Sequence, residues 1–504
     1  MAVEEKTMKR RRKNNNFQSV EQTNDLLSLL HDDILIVIIS CLPLRSAVVT
    51  GLLSRRWRGL WKNISSIIIS DSKSDYKFIF SDVFLNVMLQ INSPFIHRFH
   101  LDFDGNFSSK HRRPPDYSWL RRICDWNVRE LNFTRPSYFY GKYKLRLPSY
   151  IFQTRSLVSI ELDSMVDWEL PNDADPIILP NLKKLSLNFS YTRCEFLGKL
   201  IKSCLSLEEL SLDQCLDFRT DGYLKCSNQN LRRLFINWRS GSKSKIVINA
   251  PKLEYLNVCA PLAAVVCLDE EPIALREAKL QICEKHHRLD DEEKKLMSKF
   301  YEAISSVGWI TLDVAVLGCI SFVFRNVTRL TLNMKTYPDI LDTNLLLSLL
   351  KVCPVLDVFT LKLEEGNSRH KPWLKLSSHS RRSSTLRRVL KRVEVEIDWW
   401  DYRVPSKSFV ELVGFLLLSG TIDAKHFHFR LRAARYCRKE SVERIRRMEK
   451  DLCRIFHQAP MVSKRHEVEF VGEFYKLSRN ACRKFSRANR EIIYFSCSQP
   501  RIEL

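Results

Sequence analysis

Residues 182–187 read LKKLSL, and the frame L-x-x-L-x-L returns as LEELSL at 207–212, LRRLFI at 231–236, LEYLNV at 253–258 and, with one alanine, LREAKL at 275–280. The leading leucines are 25, 24, 22 and 22 residues apart, within the roughly 20 to 29 residues of a leucine-rich repeat. Looser copies precede the series at Ile96, Val128 and Leu157 and follow it at Val307, Val327, Leu356 and Leu390. The series predicts a solenoid of about a dozen turns spanning residues 90–365. Alternate side chains of a strand point to opposite faces, so the leucines face a core and the residues between them line a concave surface. That surface is expected to carry a mixture of charge and aromatic rings, with Phe235, Tyr255 and Trp309 as the anchors for a bound macromolecule.

Between the strands, FLGKLIKSC and NLLLSLLKVC have the apolar spacing of helices. Cys204 and Cys353, at their ends, are expected to fill the inner corner of a turn. The chain has 15 cysteines, an odd number, and no C-x-x-C pair. Scattered through apolar segments, they read as reduced, buried thiols. His286, His287, His426 and His428 lack partners at ligand spacing, so no metal is expected. No nucleophile with a base, carboxylate pair or phosphate loop recurs, and 13 glycines leave little material for such a loop. No cofactor and no catalysis are expected.

The 504 residues are 45% hydrophobic with a net charge of +23. From Arg369 onward, 31 Lys or Arg face 15 Asp or Glu, a net of +16. Such an excess favours acidic partners, yet no nucleic-acid reader motif accompanies it, and a solvated surface is the preferred reading. No apolar run reaches the ~20 residues of a membrane span, and the polar first 24 residues do not read as a signal peptide. Residues 1–24 have a disordered composition. They contain KRRRK (Lys9, Arg10, Arg11, Arg12, Lys13), a nuclear-import candidate that suggests residence in nucleus and cytoplasm.

From residue 25 the sequence predicts three short helices. DDILIVIISCL places Ile34, Leu35, Ile38, Ile39 and Leu42 at helical spacing, with Asp32 and Asp33 suited to cap it and Pro43 to stop it. A second segment runs past Val48 to Ser54, the expected N-cap of a third that carries Trp57, Leu60 and Trp61. So small a bundle buries little surface alone and should lean on a partner. After an exposed loop, a strand, an amphipathic helix (SKSFVELVGFLLLSG), a second strand, a basic helix and a last strand (HEVEFVGEF) form a small α+β unit over 386–470, with a basic tail at 471–504.

The stretch LLSLLHDDILIVIISCLPLRSAVVTGLLSRRWRGLWKNIS resembles the opening motif of plant F-box proteins with leucine-rich repeats and a C-terminal F-box-associated (FBD-like) domain. It departs from that family at His31, where Pro is usual, and at Gly51, where Ser is usual. The resemblance implies an α/β architecture in which a three-helix F-box over 25–72 precedes the repeats and the α+β domain. It further implies a non-catalytic substrate receptor of a Skp-cullin-F-box ubiquitin ligase, with a Skp-type adaptor, through it a cullin, and a protein substrate as partners, and neither membrane nor nucleic acid. The adaptor-binding residues it implies are Leu30, His31, Ile34, Leu35, Ile38, Leu42, Pro43, Val48, Leu53, Trp57, Leu60 and Trp61. Two other readings stay open, a repeat scaffold without ligase activity and a basic nucleic-acid-binding protein.

Overall fold

The computed structural model describes residues 26–27, 29–70, 82–102, 121–134, 145–163, 166–168, 176–188, 194–214, 223–237, 245–260, 265–268, 274–282, 291–313, 323–335, 341–365, 374–375, 388–399, 407–418, 422–433, 451, 454–455, 465–471, 481–486 and 491–496. The segments expected to be disordered (1–24), to hold the import signal (9–13) and to form the exposed loop lie wholly or mostly outside them, as does most of the expected basic helix.

The body of the molecule is one 17-stranded sheet. Its strands run parallel from Ser66–Ser70 to Arg465–Val471, and the last two, Ala481–Ser486 and Glu491–Ser496, are antiparallel. Each repeat enters its strand two residues after a buried aliphatic side chain: Leu182 precedes Lys184, Leu207 precedes Glu209, Leu231 precedes Arg233 and Leu253 precedes Tyr255, each leucine 0% exposed. Six of the looser copies obey the same rule, because Ile96, Val128, Leu157, Val307, Val327 and Leu356 are buried two residues ahead of a strand, whereas Leu390 is buried inside the strand Arg388–Trp399. Within the strands burial alternates, so Leu185, Leu187, Leu210, Leu212, Leu234 and Ile236 point into the core while Ser186 and Phe235 keep partial access to water. Each such leucine contributes about 1.5 to 3 kcal/mol through the apolar surface it removes from water.

The return path differs from repeat to repeat. The 25 residues from Leu182 to Leu207 hold the helix Cys194–Ser203, and the 29 from Val327 to Leu356 hold Thr343–Lys351. Both were expected. The shorter turns instead return through strands, Tyr223–Ser227, Lys245–Asn249 and Val265–Leu268, which pair in parallel as a second, three-stranded sheet. A strand advances about 3.3 Å per residue against 1.5 Å for a helix. An interval of 22 residues therefore crosses the back of the molecule most economically in extended form. Cys204, Cys226 and Cys353 are buried at these turns. Burial pushes the Cys204 and Cys226 thiols up to about 12, which keeps them neutral.

The strand Arg388–Trp399 pairs in parallel with Val358–Glu365 over eight residue pairs, and Ile422–Ala433 and Arg465–Val471 follow in the same sheet. The strands of the expected α+β unit thus join the sheet of the repeats, with the helix Lys407–Leu418 between the first two of them. The stretch read as a basic tail supplies two further, antiparallel strands.

At the turn after Cys194–Ser203, the buried Asn228 donates from Nδ2 to the carbonyls of Ile201 (2.8 Å) and Cys204 (2.9 Å) and accepts from the Asn230 amide (3.0 Å). One side chain therefore satisfies the helix-terminal carbonyl of Ile201 and adds a second donor to that of Cys204, which also accepts from the Leu207 amide at 3.1 Å. Asn228→Ala should cost about 1 to 3 kcal/mol, read as a lower urea midpoint with an unchanged slope; an unchanged midpoint would show that water replaces the amide without penalty.

Candidate functional site

Two surfaces are candidates. The first is the N-terminal helical unit. Asp32–Ser40 is a nine-residue α-helix, followed by Leu44–Val49 and by two 3₁₀ segments, Thr50–Leu52 and Trp57–Asn63. The expected third α-helix is thus a 3₁₀ helix, and Arg56 rather than Ser54 precedes it, without a side-chain cap. The first helix is capped by His31, whose Nδ1 accepts from the Asp33 amide at 3.5 Å, while Asp32 and Asp33 occupy its first turn. Arg56 ties the third segment back to the first, pairing with Asp32 (2.7 Å) and donating to the Leu30 carbonyl. Gly51 lets the two 3₁₀ segments meet closely, since a Cβ there would lie 3.4 Å from the Arg58 backbone.

The first helix has two apolar stripes, and the sequence does not say which one the chain covers. Leu35 and Ile39 are buried, whereas Ile34, Val37, Ile38 and Cys41, at i, i+3, i+4 and i+7, face water. This sorts the residues expected to meet an adaptor. Leu35, Trp57, Leu60 and Trp61 lie in the chain's own core, at most 8% exposed, and hold the unit together. Leu30, Leu42 and Val48 pack half-buried against that core, and Pro43 bridges to Ile68. Ile34, Ile38, Leu53 and His31 remain exposed. Val37, Val49 and Leu52 were missed and are 61%, 53% and 86% exposed. Nine of the seventeen exposed large hydrophobics among the described residues fall between Leu26 and Leu53. Such a concentration marks an interaction surface.

The second surface is the concave face. Register aligns its side chains in rows, and ion pairs stitch neighbouring repeats: Arg98 to Glu130 (2.7 Å), and Glu209 to both Lys184 (3.4 Å) and Arg233 (2.8 Å). The expected aromatic anchors are brought together in part. Phe235 and Tyr255 pack with their rings tilted by 39° and centroids 5.1 Å apart. Trp309 lies in the row of Tyr255, with Glu277 on the strand between them, and the Arg329 guanidinium stands 5.6 Å from its ring centre. Glu277 was missed, although LREAKL places it in that row. Burial raises the Glu277 carboxyl above its ordinary range, against a smaller opposing pull from Lys279. Burial likewise raises the Tyr255 hydroxyl, with Glu277 adding to the shift.

Family comparisons agree with this arrangement. Residues 27–68 match the F-box domain, and residues 117–282 match the LRR repeats of FBD-associated F-box protein At5g56370. The chain carries an F-box followed by leucine-rich repeats. It is similar to the F-box/FBD/LRR-repeat protein At2g04230 of Arabidopsis thaliana, 27% identical over 52% of this chain and 60% of the relative. It is also similar to the putative FBD-associated F-box protein At5g50270 of the same plant, 28% identical over 79% of this chain and 95% of the relative. A third relative, F-box/FBD/LRR-repeat protein At4g26340, is 29% identical over 58% of this chain and 66% of its own length. The chain thus spans less than two thirds of the first and third of these.

The F-box helices need no adaptor to bury their tryptophans. Trp57→Ala should therefore lower the stability of the isolated chain by about 3 to 5 kcal/mol, and Leu53→Ala by less than about 0.5 kcal/mol. Thermal unfolding of both variants without any partner checks this; equal melting temperatures would place Trp57 outside the core.

Proposed function

We propose that this chain is the substrate-recognition subunit of a Skp-cullin-F-box ubiquitin ligase complex, docking a Skp-type adaptor through the F-box and holding a protein substrate on the concave face of its repeats. The observation that carries the reading is the uncovered apolar stripe Ile34, Val37 and Ile38, beside exposed Val49, Leu52 and Leu53, on a unit whose opposite stripe is already buried. A folded unit with a spare apolar face is suited to a partner of matching chemistry. The chain contributes proximity: the adaptor and cullin bring the transferring enzyme, the repeats bring the substrate, and a bimolecular lysine modification becomes an intracomplex one. No catalytic residue is assigned to it.

His31 fits this role despite departing from the family's proline. Its backbone, at φ −65° and ψ 150°, already has the dihedral that proline fixes. His31→Pro should fold normally and bind the adaptor at least as tightly. We further propose residence in nucleus and cytoplasm through Lys9 to Lys13, so a fluorescent fusion lacking residues 1–24 should lose nuclear enrichment.

The decisive test is co-purification with a Skp-type adaptor beside a control F-box protein. The wild-type chain should retain the adaptor, and Val37→Asp combined with Leu52→Asp should lower retention by at least about tenfold while leaving the melting temperature unchanged. Failure of the wild type to retain any adaptor that the control retains would sink the ligase reading and leave a repeat scaffold.

A further inference from the structure

One row of the concave face runs Lys184, Glu209, Arg233, Tyr255, Glu277, Trp309 across successive parallel strands, with Arg329 beyond. Glu209 sits between two cations and pairs with both, at 3.4 and 2.8 Å. Glu130, earlier in the same row, pairs with Arg98 at 2.7 Å. Glu277 differs. Its neighbours in register are the rings of Tyr255 and Trp309, and among the described residues no cation comes within ion-pair distance of its carboxylate. Lys279, two residues along the same strand, acts on it only at longer range.

A half-buried carboxylate with no ion-pair partner among the described residues gains more from an incoming donor than Glu209, which already has two. The two rings favour the same polarity, because an aromatic face attracts cations. Neighbouring strands lie ~4.8 Å apart, so a cation above Glu277 would stand about 5 Å from both flanking positions, within the ~6 Å over which a ring holds a charge. Trp309 already does this on its other side, where Arg329 from the next strand lies over it at 5.6 Å. We propose that Tyr255, Glu277 and Trp309 form an acceptor for one lysine or arginine side chain presented by a basic segment of the bound protein. The proposal rests on the concave face being the substrate surface and is independent of whether the F-box docks an adaptor. It selects a basic partner locally although the chain carries +23 overall, since the cations paired along this row are already neutralised.

The test uses the full chain and a fluorescein-labelled lysine-rich nonapeptide, with the same peptide acetylated at every lysine as its control, read by fluorescence anisotropy. The lysine peptide should bind and the acetylated one should not. Glu277→Gln should weaken binding about tenfold, as expected for losing a hydrogen bond to a charged group. Trp309→Ala should weaken it by about three- to thirtyfold. Glu195→Gln, the same change of charge on the helix Cys194–Ser203 outside the row, should stay within about twofold, and Glu277→Asp should retain part of the affinity, which separates lost charge from lost fold. Absence of lysine-peptide binding, equal affinity of wild type and Glu277→Gln, or an equal loss in Glu195→Gln overturns the acceptor. Adaptor retention, measured on the same samples, reports separately on the ligase reading.

Discussion

A hydrogen-bond chain runs from Ser65 to Arg276 at the residue just inside each leading aliphatic position. The amide of His97 donates to the Ser65 carbonyl, Arg129 to His97, Val158 to Arg129, Lys183 to Val158 and Glu208 to Lys183; Arg232, Glu254 and Arg276 continue it, each to its predecessor. These bonds, at 2.6–3.3 Å, fix every strand against the last with no freedom to slide. A slip of one residue would turn the buried leucines outward and the charged row inward. The hydrophobic alternation and the backbone ladder therefore enforce one another. Everything on the concave face, from the ion-paired glutamates to the aromatic pair, inherits its alignment from that register.

The ladder begins inside the F-box, at Ser65. Ser66–Ser70 is the first strand of the sheet, and the buried Ser40 accepts from the Ser65 amide at 3.0 Å while donating to the Ile36 carbonyl at 2.7 Å. The Asn92 amide reaches the Lys62 carbonyl at 2.8 Å. Through these bonds and the Pro43–Ile68 bridge the small helical unit leans on the first repeat. A bundle of that size buries too little surface to stand alone. Trp57 and Trp61 are buried within the chain itself, in a segment packed on Asp32–Ser40 and Thr50–Leu52.

This explains what the sequence disclosed. The repeats were legible even in degenerate copies such as Val307 and Val327, because each must put an aliphatic residue two positions ahead of its strand whatever else it changes. The return path was legible where it is an amphipathic helix and opaque where a strand replaces it, since a short apolar run reads alike in either state. The two stripes of Asp32–Ser40 could not be ranked from composition, both being rich in isoleucine and valine; only the neighbour that covers Leu35 and Ile39 breaks the tie. Glu277 was hidden for a related reason. A glutamate at the third position of a repeat is unremarkable until register sets aromatic rings, rather than lysine or arginine, on both sides of it.

The same rigidity bears on how such a chain could work. In the proposed role, two partners must be held at a reproducible separation, one on the exposed stripe of Ile34, Val37 and Ile38 and one on the concave face. A flexible joint between F-box and repeats would spread their separation over many distances and dilute effective concentration. Here the joint is the sheet itself: the strand that ends the F-box is paired along all five of its residues with the first strand of the repeats. Bending at that point would break ladder hydrogen bonds and uncover Ile67 and Ile69, both nearly inaccessible to water. The cost of that exposure, about 1.5 to 3 kcal/mol for each side chain, is what keeps the two surfaces in a fixed relation.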